Sequence, residues 1–167
     1  MPITELPFGL PGRIFRSPMP FHRCYDPDGA AYDALEREGI TTIVVLAEEH
    51  ECREKSGRDL LGLYRKDGYE VEPFPIEDFC APDVLCLEKK VRLVAEMARQ
   101  GKHLAVHCSY GQGRTGTFMA ALAKYLRNCS AEEAIAWVRQ FVPGAVERPV
   151  QKRAVEQAFS GASGDQR

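Results

Sequence analysis

Apolar positions along the chain follow two rhythms, and their alternation predicts the fold. Ile40-Thr-Thr-Ile-Val-Val-Leu46 and His103-Leu-Ala-Val106 are short, nearly continuous apolar runs, the pattern of strands covered on both faces. Arg13-Ile-Phe-Arg16 and Tyr69-Glu-Val-Glu-Pro-Phe74 alternate instead, as partly exposed strands do. The first reads as an edge strand ended by Pro18 and Pro20. Elsewhere the spacing is helical. Leu87, Val91, Val94 and Ala98 share one face of a helix opening at Pro82 and ending near Gln100-Gly101. Phe118, Leu122, Tyr125 and Leu126 form a core stripe on a helix from Thr117 to Leu126.

Capping chemistry places the remaining helices. Asp26-Pro27 reads as an N-cap with proline at the first helical position, and Gly39 ends that helix. Asp59 caps a short helix from Leu60 to Lys66, closed by Gly68. Ser130-Ala-Glu-Glu133 is a capping box, and its helix carries Ala134, Ile135, Val138 and Trp137 inward. Pro149 starts a last helix through Val150, Ala154, Val155 and Phe159. The polar stretch Glu48 to Gly57 reads as a loop, and His50 within it as a solvated residue rather than a ligand. Residues 1–12 form an extended, proline-bearing lead-in, and 161–167 a frayed tail. Strands alternating with helices indicate a single α/β domain over 1–167, its core about 10–160, with a mostly parallel central sheet flanked by helices.

Composition narrows the function without naming it. The chain has 167 residues and a net charge of −2, which implies no general attraction to nucleic acid or to an anionic membrane. No apolar run approaches the roughly 20 residues of a membrane span. The six cysteines, at 24, 52, 80, 86, 108 and 129, are scattered, form no C-x-x-C pair and follow no secretory signal. No disulfide framework or zinc site is expected, and a reducing, cytoplasmic setting and a monomer are.

The chemistry concentrates in His107-Cys108-Ser109-Tyr110-Gly111-Gln112-Gly113-Arg114-Thr115-Gly116. It lies between an apolar strand and a helix, where successive backbone N–H groups and the helix dipole make an anion cradle. Ser109, Tyr110, Gly111, Gln112 and Gly113 supply that cradle. Cys108, at its start, sits in the positive field and is expected to be a thiolate at neutral pH. Arg114 can hold two oxygens of a phosphate with its planar fork. A nucleotide-binding P-loop would need Gly-Lys-Ser/Thr after its glycines, and there is no lysine here.

His107-Cys108, five residues, then Arg114-Thr115-Gly116 resembles the signature of the cysteine-dependent protein tyrosine phosphatases, in particular the small atypical dual-specificity branch. The resemblance extends over roughly residues 10–160, and from Leu46 through Cys80 the chain is also similar to cyclin-dependent-kinase-associated phosphatases. It implies a protein tyrosine phosphatase-like fold and hydrolysis of phosphotyrosine, and of phosphoserine or phosphothreonine, in proteins through a phosphocysteine. It implies no cofactor or metal. The Ile76-Glu77-Asp78 loop matches the family's aspartate-bearing loop, which makes Asp78 the general acid over its neighbour Glu77. His107 takes the loop-orienting role, Thr115 a hydroxyl beside the sulfur, Glu147 a hydrogen bond to the loop, and Gln151 the placement of water. Phosphate, vanadate and tungstate should bind as inhibitory oxyanions. Where relatives often carry arginine before Pro143-Gly144, this chain has Val142. Alternatives within the superfamily are a phosphoinositide phosphatase, which tends to carry lysines in the loop, and an RNA 5′-triphosphatase, which should show a basic surface. A pseudophosphatase that binds phosphoproteins without turnover is the non-enzymatic alternative.

Overall fold

The computed structural model describes residues 2–161. Five strands, β1 (Thr4–Leu6), β2 (Ile14–Ser17), β3 (Thr42–Val45), β4 (Glu70–Pro73) and β5 (Leu104–His107), form one sheet in the order β1-β2-β5-β3-β4. All pairings are parallel except β1 with β2, so the sheet is mostly parallel, as the alternation of elements requires. Among the described residues seven helices surround it: α1 (Ala30–Arg37), α2 (Glu49–Ser56), α3 (Leu60–Lys66), α4 (Val84–Arg99), α5 (Gly113–Arg127), α6 (Ala131–Arg139) and α7 (Pro149–Gln157).

The period-two geometry of a strand divides the core. Ile14, Val44, Leu46, Leu104 and Val106 pack into a layer with α4, α5 and α6. Phe15, Ile43, Val45 and Ala105 face the opposite layer, beneath α1 and α3. Both faces are covered, which is why β3 and β5 read as continuous apolar runs. The parallel strands β3 and β5 direct their carboxyl ends to the same edge, where ligands bind in such folds.

Several boundaries differ from the sequence reading. The lead-in contains β1, so β2 is interior; a three-residue strand is too short to show a period. The first helix starts at Ala30, because Gly29 adopts φ 75°. Asp26 does not cap that helix at Pro27; its carboxylate accepts from the N–H groups of Phe21 and Ala31. α4 begins one turn residue after Pro82, on the Asp83 cap, and Val150 on α7 is exposed. The stretch read as a polar loop is the helix α2. Its buried residues are Glu51, Cys52 and Ser56, so no apolar stripe betrays it. The Asp59 cap and the Ser130–Glu133 capping box form as expected. The expected tail lies, beyond Gly161, outside the described residues.

Candidate active site

The segment from Cys108 to Gln112 links the end of β5 to α5. α5 starts inside the signature, at Gly113 rather than at Thr117, so its first turn includes Arg114 and Thr115. The N–H groups of Ser109, Tyr110, Gly111 and Gln112 donate to no other described residue. Unpaired donors at a helix N-terminus are an anion site by construction. Gly111 has φ 85°, and a Cβ there would lie 2.4 Å from the Ser17 carbonyl oxygen, so the loop rests directly on the end of β2. A further bond, from the Met19 N–H to the Ser109 carbonyl at 2.8 Å, ties the loop to the segment after β2.

Cys108 is 3% exposed and lines a cleft of about 370 Å³. The residue before it, His107, is fixed by both ring nitrogens. A carbonyl can only accept, so Nδ1 carries the proton and donates to the Cys108 carbonyl oxygen at 2.9 Å, while Nε2 accepts from the Tyr64 hydroxyl at 2.9 Å. Burial drives the His107 pKa down to about 4, and the imidazole is neutral. Burial likewise raises the Tyr64 pKa, keeping its hydroxyl a donor.

Arg114, buried on α5, meets an acid that sequence reasoning missed. Its Nη1 donates to Glu51 Oε2 at 2.8 Å and to the Ile76 carbonyl at 2.8 Å. Its Nη2 donates to Glu51 Oε1 at 2.7 Å and lies 3.2 Å from Asp78 Oδ1. Desolvation alone would raise the Glu51 pKa; hydrogen bonds and charge from Arg114 and Lys55 overcome it and hold it at about 2. The same acids, with Cys108, outweigh the desolvation of Arg114 and raise its pKa, so the guanidinium is permanently charged. Lys55 Nζ donates to Glu51 Oε1 at 2.7 Å, to Ser109 Oγ at 3.0 Å and to Asp78 Oδ2 at 3.4 Å. Glu51 and Lys55 are one turn apart on α2. Their only sequence signal is that spacing before the helix-ending Gly57, which has φ 70°.

Asp78 therefore reaches the cleft that holds Cys108 and Arg114, whereas Glu77 is exposed. Phe79 follows at φ 64°, its ring under the Arg148 guanidinium at 4.7 Å. Tyr25 and Tyr110 pack ring to ring with centroids 4.5 Å apart, and both line the cleft. His22, 6% exposed, is a further lining residue that sequence reasoning did not single out.

The remaining expected residues are placed as follows. Thr115 is fully buried, and its hydroxyl has no partner among the described residues, so it makes no hydrogen bond to Cys108. Gln112 Nε2 donates to the Pro143 carbonyl. The Glu147 carboxylate lies over the loop: a Cβ on Gly113 would sit 2.3 Å from its Oε2. Gln151 also lines the cleft, but its amide is engaged. Oε1 accepts from the N–H groups of Glu147 and Arg148 at 3.0 and 3.1 Å, and Nε2 donates to the Cys80 carbonyl at 3.3 Å. His50 is exposed, 3.7 Å from Glu48, and takes no part. Among the described residues no group of His, Cys, Asp and Glu could hold a metal ion, and no helix is long and apolar enough to cross a membrane.

A family model described as "Polymorphic toxin system, DSP-PTPase phosphatase" matches residues 19–128. The tyrosine-protein phosphatase cdcA of Emericella nidulans is 38% identical over 76 residues, 45% of this chain and 13% of that relative's length. Among solved structures, Tk-PTP in its active form is 36% identical, with a TM-score of 0.74 over 87% of this chain and 90% of that one. Kinase associated phosphatase shares the fold, with a TM-score of 0.85 over 98% of this chain and 97% of that one at 20% identity.

Proposed function

The chain belongs to the DSP-PTPase family, the small dual-specificity branch of the cysteine-dependent protein tyrosine phosphatases, and on that premise we propose that it hydrolyses phosphomonoesters of proteins through a phosphocysteine on Cys108. The observation that carries the reading is convergence: Cys108, Arg114 and Asp78 line one cleft, beside a loop of unpaired N–H groups.

In this scheme the loop N–H groups and Arg114 hold the nonbridging phosphoryl oxygens. The Cys108 thiolate attacks phosphorus, the bond from phosphorus to the ester oxygen breaks, and Asp78 gives its proton to the departing oxygen. Asp78 then takes a proton from water as that water attacks the phosphocysteine, releasing inorganic phosphate and the thiolate. Glu51 acts through Arg114 as a positioning residue: its two oxygens fix the plane of the guanidinium. No step requires a metal. The exposed rings of Tyr25, Phe79 and Tyr110 at the cleft give a phosphotyrosine ring apolar faces to pack on; phosphoserine and phosphothreonine enter the proposal through the family. Lys55 reaches the cleft, yet its ammonium is shared among Glu51, Asp78 and Ser109. The cleft gains no free cation from it for a phosphoinositide, and the protein-directed reading is the better supported. A reducing compartment suits a thiolate nucleophile, and we place the activity there.

Turnover by three variants tests this. Cys108→Ser should lower hydrolysis of any phosphomonoester by more than about a hundredfold while leaving oxyanion binding. Asp78→Asn should slow phenyl phosphate by roughly 10² to 10⁴ fold and p-nitrophenyl phosphate much less, because a good leaving group needs no proton. Glu77→Gln should do little. Cys108→Ser turning over at the wild-type rate would sink the covalent mechanism, and a larger, leaving-group-dependent loss in Glu77→Gln would move the acid.

A further inference from the structure

A second cavity, of about 590 Å³, adjoins the reactive cleft, and the Tyr25–Tyr110 ring pair lines both. Arg16 contributes to it from β2, one residue before Ser17, whose carbonyl supports Gly111. Arg16 is half-buried. Its Nε is inaccessible to solvent and has no hydrogen-bond partner among the described residues. Burial lowers its pKa, and no carboxylate counters this. The arginine just before the same strand shows what is missing: Arg13 is paired with both Glu5 and Glu38. A partly desolvated guanidinium without an acid is unfavourable unless an anion joins it.

Two acids line the same cavity, and neither serves. Asp26 is buried with its carboxylate committed to the N–H groups of Phe21 and Ala31. Asp28 is exposed. We propose that the cavity receives an acidic side chain of the phosphoprotein substrate, a carboxylate or second phosphate close in sequence to the phosphoresidue, with Arg16 as its partner. The proposal rests on the phosphatase reading of the Cys108 cleft. Its geometry suits one peptide engaging both cavities. The cavities share Tyr25 and Tyr110 in their walls, so an acidic side chain a residue or two from the phosphoresidue is the one placed to enter the second.

The experiment compares phosphotyrosine peptides identical except for Glu or Ala at each position within two residues of the phosphotyrosine. The readout is the ratio of kcat/KM for the Glu and Ala peptides, which is internal to each variant, so a general loss of activity does not imitate the effect. Wild type should favour Glu at one position by about tenfold, an effect of roughly 1.4 kcal/mol. Arg16→Met should bring the ratio to one, Arg16→Lys should keep part of it, and Asp28→Asn should enlarge it by removing a like charge. A wild-type ratio of one at every position, or a ratio that survives Arg16→Met, overturns the proposal. If Arg16→Met fails to fold, a ratio unchanged in both Arg16→Lys and Asp28→Asn overturns it. A peptide bearing a second phosphate in place of Glu should be favoured at the same position, and a preference for it that survives Arg16→Met would overturn the proposal. Wild type that turns over neither peptide nor aryl phosphate would instead refute the phosphatase reading.

Discussion

Replacing Glu51 by Gln isolates the buried ion pair beneath the phosphate loop. Glutamine keeps the shape and one acceptor oxygen but removes the charge that answers Arg114 and Lys55. The two side chains at the centre are nearly inaccessible, 7% exposed for Glu51 and 1% for Arg114, so solvent screening is slight. A carboxylate held at a pKa of about 2 rather than its ordinary 4.5 contributes about 3 kcal/mol to stability at neutral pH. Stranding a buried cation by removing its partner costs about 3–5 kcal/mol. Glu51→Gln should therefore lose about 3 kcal/mol at pH 7, or about 6–12 °C in Tm for a domain of this size. Because the folded pKa is depressed, this stability is fully present above pH 4.5 and is lost as pH falls from there through about 2. Urea unfolding of both proteins at pH 7, 5, 4 and 3 measures it. The gap should be constant down to pH 5 and narrow below. A gap under about 0.5 kcal/mol at pH 7 would place this pair with ordinary surface ion pairs, and a gap unchanged at pH 3 would show that the charge is not its source.

Three further outcomes are expected. His107 is neutral and buried with a pKa of about 4, so the unfolded chain takes up a proton first as pH falls from 6.5; wild type should lose about 3 kcal/mol from this group by pH 4, and in His107→Asn that slope should be gone. Gly111→Ala should weaken the loop, since its φ of 85° and the Ser17 oxygen 2.4 Å from the new Cβ together call for a shift of about 1–3 kcal/mol; retained vanadate binding and an unchanged Tm would contradict that contact. Vanadate or tungstate at 100 times its Kd should stabilise the protein by about 2.7 kcal/mol, and no thermal shift in Cys108→Ser or wild type would contradict a preformed cradle.

Much of this was legible in the chain because it depends on local rules. The strands β3 and β5, the α6 capping box and the Asp59 cap are written in periodicity and cap residues. The strand–loop–helix signature was recognisable because one continuous segment carries it. What escaped the sequence lies where polar residues turn inward. Glu51 and Lys55 sit on a helix whose buried face is charged, so hydropathy reads it as surface. Their partners, Arg114 and Asp78, are distant in sequence and meet them only through the sheet order. Arg16 ended what read as an edge strand, and β1 makes that strand interior. The Gly113 start of α5 was missed because glycines argue against a helix, whereas here the helix must begin early for its N–H groups to reach the loop.

Gln151 joins segments that lie far apart in the chain. Its amide clasps the backbone of Glu147 and Arg148 on one side and the Cys80 carbonyl, two residues past Asp78, on the other. The last helix supplies no reacting atom, yet through this clasp it works as a latch on the aspartate loop. α7 is itself seated by buried Ala154 and Val155, so loosening it should loosen the hold on that loop. On the proposed mechanism, a lesion at the far end of α7 should be felt as a proton delivered less often, with Cys108 and its cradle left intact.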